Sequence, residues 1–349
     1  MTAALLLILA GLLAQDPARP KDKTDEAIER GVKFLSGITD KDGAIAETPP
    51  NRTAMTALAV LAMAATGNQP TDETPAGLAM KRGLAFVLKD QQDPQGFFGL
   101  KDGSRMYGHG IITLMLSEML GMGVDAQMDQ LLRDRCKKAV ELILRSQAMP
   151  KDERSAGGWR YMPDSRDSDL SVTVWQLMAL RSAKNAGLDV PKEAIDRAVA
   201  YVKRCFKGKK GPDGKLDPTV KGACGYEPGH NPEYAMAAAG LLSMQVCGDY
   251  ESPEVAFSAD WLKERKLEWN REWFFYGTYY YSQGMFQRGG DYAALGRRSV
   301  EEIVLPKQAP EGSWLAQHGS ERGAGRVYGT AMALLCLAVR NHYLPIYQR

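Results

Sequence analysis

The chain has 349 residues, of which 44% are hydrophobic and 25% are charged. These fractions are typical of a folded globular protein and exclude a largely disordered chain, while the length allows one large domain or two ordinary ones. A formal net charge of +2 offers no electrostatic attraction for nucleic acid or for an anionic membrane. We therefore expect no nucleic-acid partner.

The N-terminal residues differ from the rest of the chain. An apolar run is followed by a polar, proline-containing stretch, which predicts a signal peptide over residues 1–14 and a polar linker over residues 15–26. Leu12 and Ala14 would occupy the −3 and −1 positions before a cut ahead of Gln15, although no Lys or Arg precedes the run. A buried N-terminal helix is disfavoured because the run is apolar all round and uncapped. We expect export to the periplasm or the cell exterior, with no transmembrane span after signal cleavage.

From Ala27 onward a helical hairpin pattern appears six times, most clearly between Arg82 and Gly123. In most copies the first helix is amphipathic, and the second is almost free of charge. A helix without charge is buried all round, whereas an amphipathic helix faces solvent on one side. The pattern therefore predicts an inner ring of six helices surrounded by an outer ring. No polar cap protects the first or the last hairpin, which favours a closed ring over an open solenoid.

The joint between the two helices carries a more specific pattern. Residues 82–98 read Arg-Gly-x-x-Phe-Val-x-x-x-Gln followed by Gly-x-Phe, a looser copy ending in Gly-Trp spans 138–159, and Gln-x-x-x-Gly-x-Trp spans 308–314. A fourth copy begins at residues 30–35. These segments resemble the QW repeat of squalene–hopene and oxidosqualene cyclases. Over nearly all of residues 27–349 the chain resembles the terpenoid cyclase and protein prenyltransferase superfamily, which implies an all-α fold, a single α/α toroid of six helical hairpins.

The glutamines of this pattern suit a structural role. A glutamine side chain offers two donors and one acceptor, enough to tie helix-end backbone groups together, and an aromatic ring after the glycine can cover that polar joint. We therefore interpret Gln91 and its counterparts as scaffold residues.

The resemblance raises the question of an acid catalyst. The cyclases protonate their substrates with the middle acid of a DxDD motif at the start of an inner helix, and the nearest stretch here is Asp167-Ser168-Asp169-Leu170. Leu170 stands in place of the last acid. Asp167 and Asp169 are also good N-cap residues, since carboxylates suit the positive end of a helix dipole. We carry both as candidate general acids and regard helix capping as the better interpretation.

A metal site is the second chemistry that the resemblance suggests. Protein prenyltransferases bind zinc through Asp, Cys and His, and Cys224 and His230 share one loop with Glu227 and Glu233. The accompanying Asp-x-Cys motif is absent, so we predict no metal and no cofactor. The five cysteines lie far apart without a CxxC pair, which argues against a disulfide framework, and Cys224 is the one we expect to be accessible.

The loops that lead into the inner helices are rich in aromatic residues and histidines. Such side chains around a concavity could bind a ligand, although core packing accounts for part of the set. The candidate binding residues at this mouth are Tyr107, His109, Trp159, Tyr161, His230, Tyr234, Trp273, Tyr276, Tyr279 and Tyr280.

Two functions follow as hypotheses. The first is an exported toroid of unknown ligand that binds a small molecule, lipid, polymer or protein partner at the mouth of its central cavity. The second is an enzyme of the terpenoid cyclase or prenyltransferase kind, acting on an isoprenoid with Asp167 or Asp169 as general acid. An apolar, aromatic-lined cavity with a desolvated carboxylate would favour the enzyme, and a tightly packed centre would favour the binding protein.

Overall fold

The computed structural model describes residues 20–47, 50–217 and 219–348. In this part the chain forms twelve α-helices, paired as six hairpins. The outer helices are α1 (Lys23–Gly37), α3 (Pro75–Asp90), α5 (Ala126–Gln147), α7 (Lys192–Cys205), α9 (Pro253–Lys263) and α11 (Gly290–Val304). The inner helices are α2 (Arg52–Ala65), α4 (Arg105–Glu118), α6 (Leu170–Asn185), α8 (Tyr234–Val246), α10 (Phe274–Arg288) and α12 (Gly325–Leu337). The predicted all-α toroid of six hairpins is confirmed.

The inner helices form a closed ring. Each packs against the inner helix before it and the one after it, and α12 packs against α2 and α1. The only strands in the described residues are two short segments between α7 and α8, β1 (Phe206–Lys207) and β2 (Ala223–Cys224), which pair antiparallel. The first hairpin therefore shields the last, which explains why neither end needs a polar cap.

Burial separates the two rings as the charge pattern predicts. Every residue of α8 is buried, whereas α7 buries one face, which includes Ile195, Ala198 and Val202. The inner helices hold the core because they carry few groups that need water.

The first helix begins earlier than the sequence indicates. The segment predicted as a linker contains the start of α1, because Asp22 caps it: Asp22 Oδ1 accepts hydrogen bonds from the backbone N of Thr24 at 2.9 Å and of Asp25 at 3.0 Å. The predicted signal peptide over residues 1–14 lies outside the described residues. Among the residues that are described, no helix combines the length and the apolar composition needed to cross a membrane.

At three of the six hairpin joints, one glutamine fastens the joint to an outer helix of a neighbouring hairpin. Gln147 Nε2 donates to the carbonyl oxygen of Gly157 in its own loop and to that of Ala194 in the next outer helix, both at 2.9 Å. Gln92 and Gln308 make the same pair of bonds in their own units. Each glutamine thus pairs a carbonyl group of its own loop and adds a second bond to a carbonyl group of an outer helix in the neighbouring hairpin.

Close approach of backbones explains the glycine of the pattern. At Gly312, φ is +98°, and a Cβ atom would lie 2.4 Å from the carbonyl oxygen of Arg30 in α1. A side chain is excluded there both by the left-handed backbone and by space. At this point the backbone of the last hairpin consequently packs directly against the backbone of the first.

In the second unit the structural glutamine is Gln92 and not Gln91. Gln92 is buried and donates to Gly96 O at 3.0 Å and Arg135 O at 2.9 Å. Gln91 is the C-cap residue of α3, and its Oε1 accepts one hydrogen bond from Thr53 Oγ1 at 3.1 Å. The interpretation of the motif position was therefore wrong by one residue.

The two adjacent glutamines provide a matched test of this joint. Gln92→Ala is expected to lower the free energy of unfolding by about 1–3 kcal/mol, because two buried hydrogen bonds would be lost and the carbonyl group of Gly96 would be left without a partner. Gln91→Ala removes one part-buried bond and is expected to cost less. Urea unfolding of both variants, followed by far-UV circular dichroism, measures the difference. Equal losses would contradict the role assigned to Gln92.

The far end of the ring is covered by one short segment, Pro345–Tyr347, which we call the floor segment. The backbone N of Ile346 donates to Glu118 Oε2 of α4 at 3.3 Å, and Gln287 Nε2 of α10 donates to Tyr347 O at 2.6 Å. The Tyr347 hydroxyl also meets that of Tyr279. Since α4 and α10 stand on different sides of the ring, the floor segment bridges it and closes this end.

The aromatic run of α10 is not interrupted by its glycine. Gly277 lies inside the helix, and a Cβ atom there would lie 3.3 Å from Ala235 Cα of α8. A glycine inside a helical pattern often marks a break, but α10 continues through this position. The structure instead uses the glycine to bring two inner helices close together.

Candidate functional site

A cavity of about 560 Å³ opens where the inner helices begin. All six inner helices or their N-cap residues contribute to its wall, so the cavity lies on the axis of the ring. The floor segment closes the other end. The centre of the toroid is therefore a single-mouthed pocket and not a filled core.

The wall of the cavity is largely hydrocarbon and aromatic. Its aliphatic members on the inner helices, contributed by four of these helices, are Ala54, Met55, Leu58, Ile111, Ala235, Met236 and Met332. Its aromatic members are Tyr107, Tyr161, Trp175, Tyr226, Trp273, Tyr276 and Tyr328. Trp175 stacks on Tyr279, with ring centroids 5.7 Å apart, and this stack connects the wall to the floor segment.

Hydrogen bonds to Ser171 or to each other hold four tyrosine hydroxyls around the cavity in place. Tyr276 OH donates to Ser171 O at 2.7 Å, Tyr107 OH bonds to Ser171 Oγ, and the hydroxyls of Tyr161 and Tyr226 lie 2.5 Å apart. Burial raises the pKa of Tyr107, Tyr226 and Tyr276. These side chains therefore remain neutral and act as rigid, uncharged surfaces.

Glu321 is a buried carboxylate in the cavity wall that the sequence analysis missed. It caps α10: Oε2 accepts from Phe275 N and Oε1 from Tyr276 N, both at 2.9 Å, and Tyr328 OH donates to Oε1 at 2.6 Å. Burial raises the pKa of the Glu321 carboxyl. No local pattern could have revealed this role, because the two backbone N atoms that Glu321 caps lie 45 and 46 residues before it.

The two candidate acids occupy different environments beside the cavity. Asp169 is the N-cap of α6 and is fully buried; its Oδ1 accepts from Val172 N at 2.8 Å and from Ser171 Oγ at 2.6 Å. Its Oδ2 lies 3.3 Å from Arg160 Nε, which also lies 3.5 Å from the exposed Asp167. Neither acid is part of the cavity wall.

Burial and the neighbouring groups shift the pKa of Asp169 in opposite directions. Burial raises the pKa of this carboxyl, and the bonds from Ser171 and Val172 and the charge of Arg160 oppose the rise. Arg160 is itself held by Glu227, with Nη1 2.7 Å from Oε1. Asp169 therefore caps the start of α6 and, through Arg160, belongs to an ion-pair network that includes Glu227.

Four of the ten predicted mouth residues line the cavity, namely Tyr107, Tyr161, Trp273 and Tyr276. The other six lie elsewhere: His109, Trp159, His230, Tyr234, Tyr279 and Tyr280. Most of these are packed into the ring, and one is on the surface.

His109 belongs to the hairpin joint. Phe98 N donates to His109 Nδ1 at 3.3 Å, so Nε2 carries the proton and faces Ala139 O at 3.1 Å. In other units the corresponding backbone N of a loop residue donates to a threonine, as Trp159 N does to Thr173 Oγ1 at 3.0 Å. Burial lowers the pKa of His109 to about 4, so the ring is neutral at physiological pH.

The remaining residues outside the cavity have structural surroundings too. Trp159 is fully buried, and its Nε1 donates to Ile143 O at 2.9 Å. Tyr279 and Tyr280 are fully buried within α10. Tyr234 packs beneath the guanidinium of Arg271, 4.6 Å from the ring centroid. These four residues support the helices that carry the cavity wall, but they do not line the cavity.

The loop considered for zinc is not assembled as a ligand set. Cys224 is fully buried, contrary to the expected accessibility, and its Sγ faces Val202 O at 3.7 Å. His230 is exposed and lies 4.0 Å from Glu227. Across the described ranges, no three His, Cys, Asp or Glu side chains come together in a way that could hold a metal ion.

Several cavity residues escaped the sequence analysis besides Glu321. Arg105 and Glu233 stand at the mouth, and Trp175, Tyr226 and Tyr328 form wall surface. Each occupies the start of an inner helix, its first turns or the loop before it. Aligning the six units on these helix starts would have been the signal to find them.

Solved structures of known proteins share this fold at low sequence identity. No protein-family model matches the sequence, and no curated protein matches it. An inactive variant of the α-1,6-mannanase GH76A of Salegentibacter sp. HEL1_6, in complex with α-1,6-mannotriose, is 10% identical, with a TM-score of 0.61 over 92% of this chain and 100% of that one. The type II terpene cyclase MstE from Scytonema is 14% identical, with a TM-score of 0.56 over 91% and 98%.

A third similar structure is the cellobiose 2-epimerase from Spirochaeta thermophila. It is 13% identical, with a TM-score of 0.58 over 93% of this chain and 99% of that one. Because these toroids act on different kinds of molecule, the likeness establishes the fold alone.

Proposed function

We propose that the protein binds, in its central cavity, an apolar molecule with a polar end, of isoprenoid or related lipid character. The observation that carries this proposal is the gradient of polarity along the cavity. Leu58, Ile111 and Met332 lie six or seven residues inside their helices, about 9 Å or more from the mouth. The charged side chains Arg105 and Glu233 lie at helix starts.

The hydrocarbon interior favours a lipid over a sugar. A glycan carries hydroxyl groups on every ring, and each would need a hydrogen-bond partner once it was removed from water. Leu58, Ile111 and Met332 provide none. A hydrocarbon chain, in contrast, gains free energy from this surface in proportion to the apolar area that it buries.

The closed far end favours a small ligand over a polymer. Since the floor segment bridges the ring, an extended chain could enter the cavity but could not pass through it. The binding of a polymer or a protein partner at the mouth would also leave most of the hydrocarbon surface uncovered.

An enzyme acting on an isoprenoid through Asp167 or Asp169 is the second candidate. The apolar cavity with a buried carboxylate close by supports it. Two observations count against it. Asp169 lies outside the cavity wall, and its carboxylate is bound to the start of α6 and to Arg160. Asp167 is exposed to solvent. We therefore rank ligand binding first.

A tryptophan placed in the cavity tests the binding function. Met55 is half-buried in the wall, so Met55→Trp would fill space that a ligand needs. Wild type is expected to bind radiolabelled geranylgeraniol in equilibrium dialysis, and the variant is expected to lose affinity by about tenfold or more, equivalent to about 1.4 kcal/mol.

The control adds the same side chain outside the cavity. Leu78→Trp, on the exposed surface of α3, is expected to leave the affinity unchanged. α-1,6-Mannotriose serves as the sugar probe and should neither bind nor compete. Mannotriose binding by wild type, together with no retention of geranylgeraniol, would refute the proposal.

Export is the second part of the proposed function, and it rests on the apolar run within residues 1–14. In a bacterial host the mature protein should appear outside the cytoplasm with Gln15 as its first residue. N-terminal sequencing of the recovered protein decides this, and retention of the full sequence in the cytoplasm would count against export.

A further inference from the structure

Four residues other than glycine adopt left-handed backbone conformations in the described part of the chain. They are Asn51, Arg105, Trp273 and His342, with φ between +53° and +60°. Side chains as large as those of Arg and Trp rarely occupy this region, because the Cβ atom approaches the following carbonyl group. Such strain persists where the surrounding structure enforces it and often accompanies a functional site.

Three of the four lie together at the mouth of the cavity. Asn51 is the N-cap of α2, Arg105 is the first residue of α4, and Trp273 is the N-cap of α10, and all three belong to the cavity wall. We call these three residues the collar. His342 lies at the opposite end of the ring, where its side chain packs on Phe286.

The collar side chains make no polar contact that stabilises the fold of the described residues. Asn51 and Arg105 are exposed, and Trp273 keeps 46% of its surface exposed. Their side chains make no hydrogen bond, ion pair or ring contact with the described residues. Glycine would fit these backbone angles with less strain, and the chain does use glycine at left-handed positions elsewhere, such as Gly103.

We propose that the collar recognises the polar end of the cavity ligand and that this end is an uncharged, hydroxyl-bearing group; this inference rests on the proposed binding function. Arg105 and Asn51 offer hydrogen-bond donors to a hydroxyl oxygen, and Glu233 offers an acceptor to its proton. Trp273 covers the chain that follows with a flat apolar ring.

The charges in the wall disfavour an anionic head. The wall contains two carboxyl groups, those of Glu233 and of the buried Glu321, and one guanidinium, that of Arg105. A diphosphate would bring additional negative charge next to them with too few cations to balance it. The alcohol is therefore the preferred form of an isoprenoid ligand here.

Replacement of each collar residue by glycine separates recognition from folding. Asn51→Gly, Arg105→Gly and Trp273→Gly relieve the backbone while removing the side chain, so their melting temperatures should remain equal to that of wild type or rise. Arg105→Gly and Trp273→Gly should each weaken geranylgeraniol binding by about tenfold in equilibrium dialysis. His342→Gly is the matched control: it relieves the same backbone strain far from the mouth and should keep full affinity.

Each outcome decides between the two proposals. Wild type that binds geranylgeraniol, with all three collar variants binding equally well, would overturn the collar and leave the binding function standing. Tighter binding of geranylgeranyl diphosphate than of the alcohol would overturn the uncharged head. Absence of any binding of both compounds by wild type would overturn the binding function and the collar with it.

Discussion

Trp314→Ala is expected to lower the free energy of unfolding by about 3–5 kcal/mol, the usual cost of emptying a buried tryptophan site. Trp314 is fully buried, and its Nε1 donates to Val304 O at 2.8 Å. The ring also lies against Gly31 of α1, where an added Cβ atom would come within 3.0 Å of it. The substitution would therefore leave a cavity and an unpaired carbonyl group at the contact between the last hairpin and the first.

Trp261→Ala provides the comparison. Trp261 lies on the outer helix α9, is only partly buried, and stacks under the guanidinium of Arg265 at 3.5 Å from its ring centroid. It should cost less than half as much, because solvent and neighbouring side chains can fill the space. Urea unfolding monitored by circular dichroism measures both variants. A loss below about 1 kcal/mol for Trp314→Ala would contradict the role of this ring in closing the toroid.

The second large effect is a dependence of stability on pH that originates at Glu118. This carboxyl is buried between α4, α6 and the floor segment, where Ser182 Oγ donates to Oε1 and Ile346 N donates to Oε2 at 3.3 Å. Ser117 Oγ donates to Ser182 Oγ at 2.7 Å. No Lys or Arg in the described residues forms an ion pair with it. Burial consequently raises the pKa of Glu118 to about 7, from an ordinary value of 4.5.

The sign of the effect follows from proton binding. Between pH 4.5 and about 7 the unfolded chain has lost the Glu118 proton while the folded chain retains it. The free energy of unfolding therefore falls as the pH rises through this window, by about 1.4 kcal/mol per pH unit from this group. Below the window both states are protonated, and above it both are ionised, so the contribution of Glu118 becomes constant.

Glu118→Gln is expected to remove this slope and to make the protein more stable than wild type at pH 8, by about 3 kcal/mol. The amide keeps an oxygen acceptor for Ile346 N, and its N–H can donate to Ser182 Oγ once the Ser182 proton turns toward Ser117 Oγ. Glu141→Gln, at an exposed position on α5, is the control and should leave the slope as it is in wild type. Unfolding curves at pH 4, 6 and 8 measure all three proteins. An unchanged slope in the Glu118 variant would show that this group does not titrate in the window.

The sequence sufficed to predict the two rings because helices that are buried on all sides contain almost no charged residues. Helices such as α2 and α8 carry no charged side chain beyond their first residue, and this absence is visible without any structure. Closure was also predictable, since neither end of the array is protected. Boundaries were less predictable: two glutamines stand side by side at the end of α3, and only packing shows that Gln92 is the one turned into the joint.

The site was predicted less well, for a physical reason. In α10 the sequence offers several tyrosines in a row, but which of them faces the axis depends on how the helix is rotated against α8 and α12. Tyr276 meets the cavity, whereas Tyr279 turns toward the floor segment. Glu321 could not be found at all, since the helix start that it caps lies in the preceding hairpin. His109 was predictable in principle, because Phe98 precedes it by the same 11 residues that separate Ile45 from Thr56.

The contact between α12 and α2 has a consequence for how such a chain can evolve. In an open array a whole repeat can be gained or lost at modest cost, since each unit touches only its neighbours. In a ring, every hairpin sets the angle at which the others meet, and duplication of one would leave two edges that no longer join. Insertions are then tolerated only where they leave the angles between the hairpins unchanged. The segment between α7 and α8, which carries β1 and β2, is the longest connection between two successive helices, and a connection of this kind can lengthen without changing those angles.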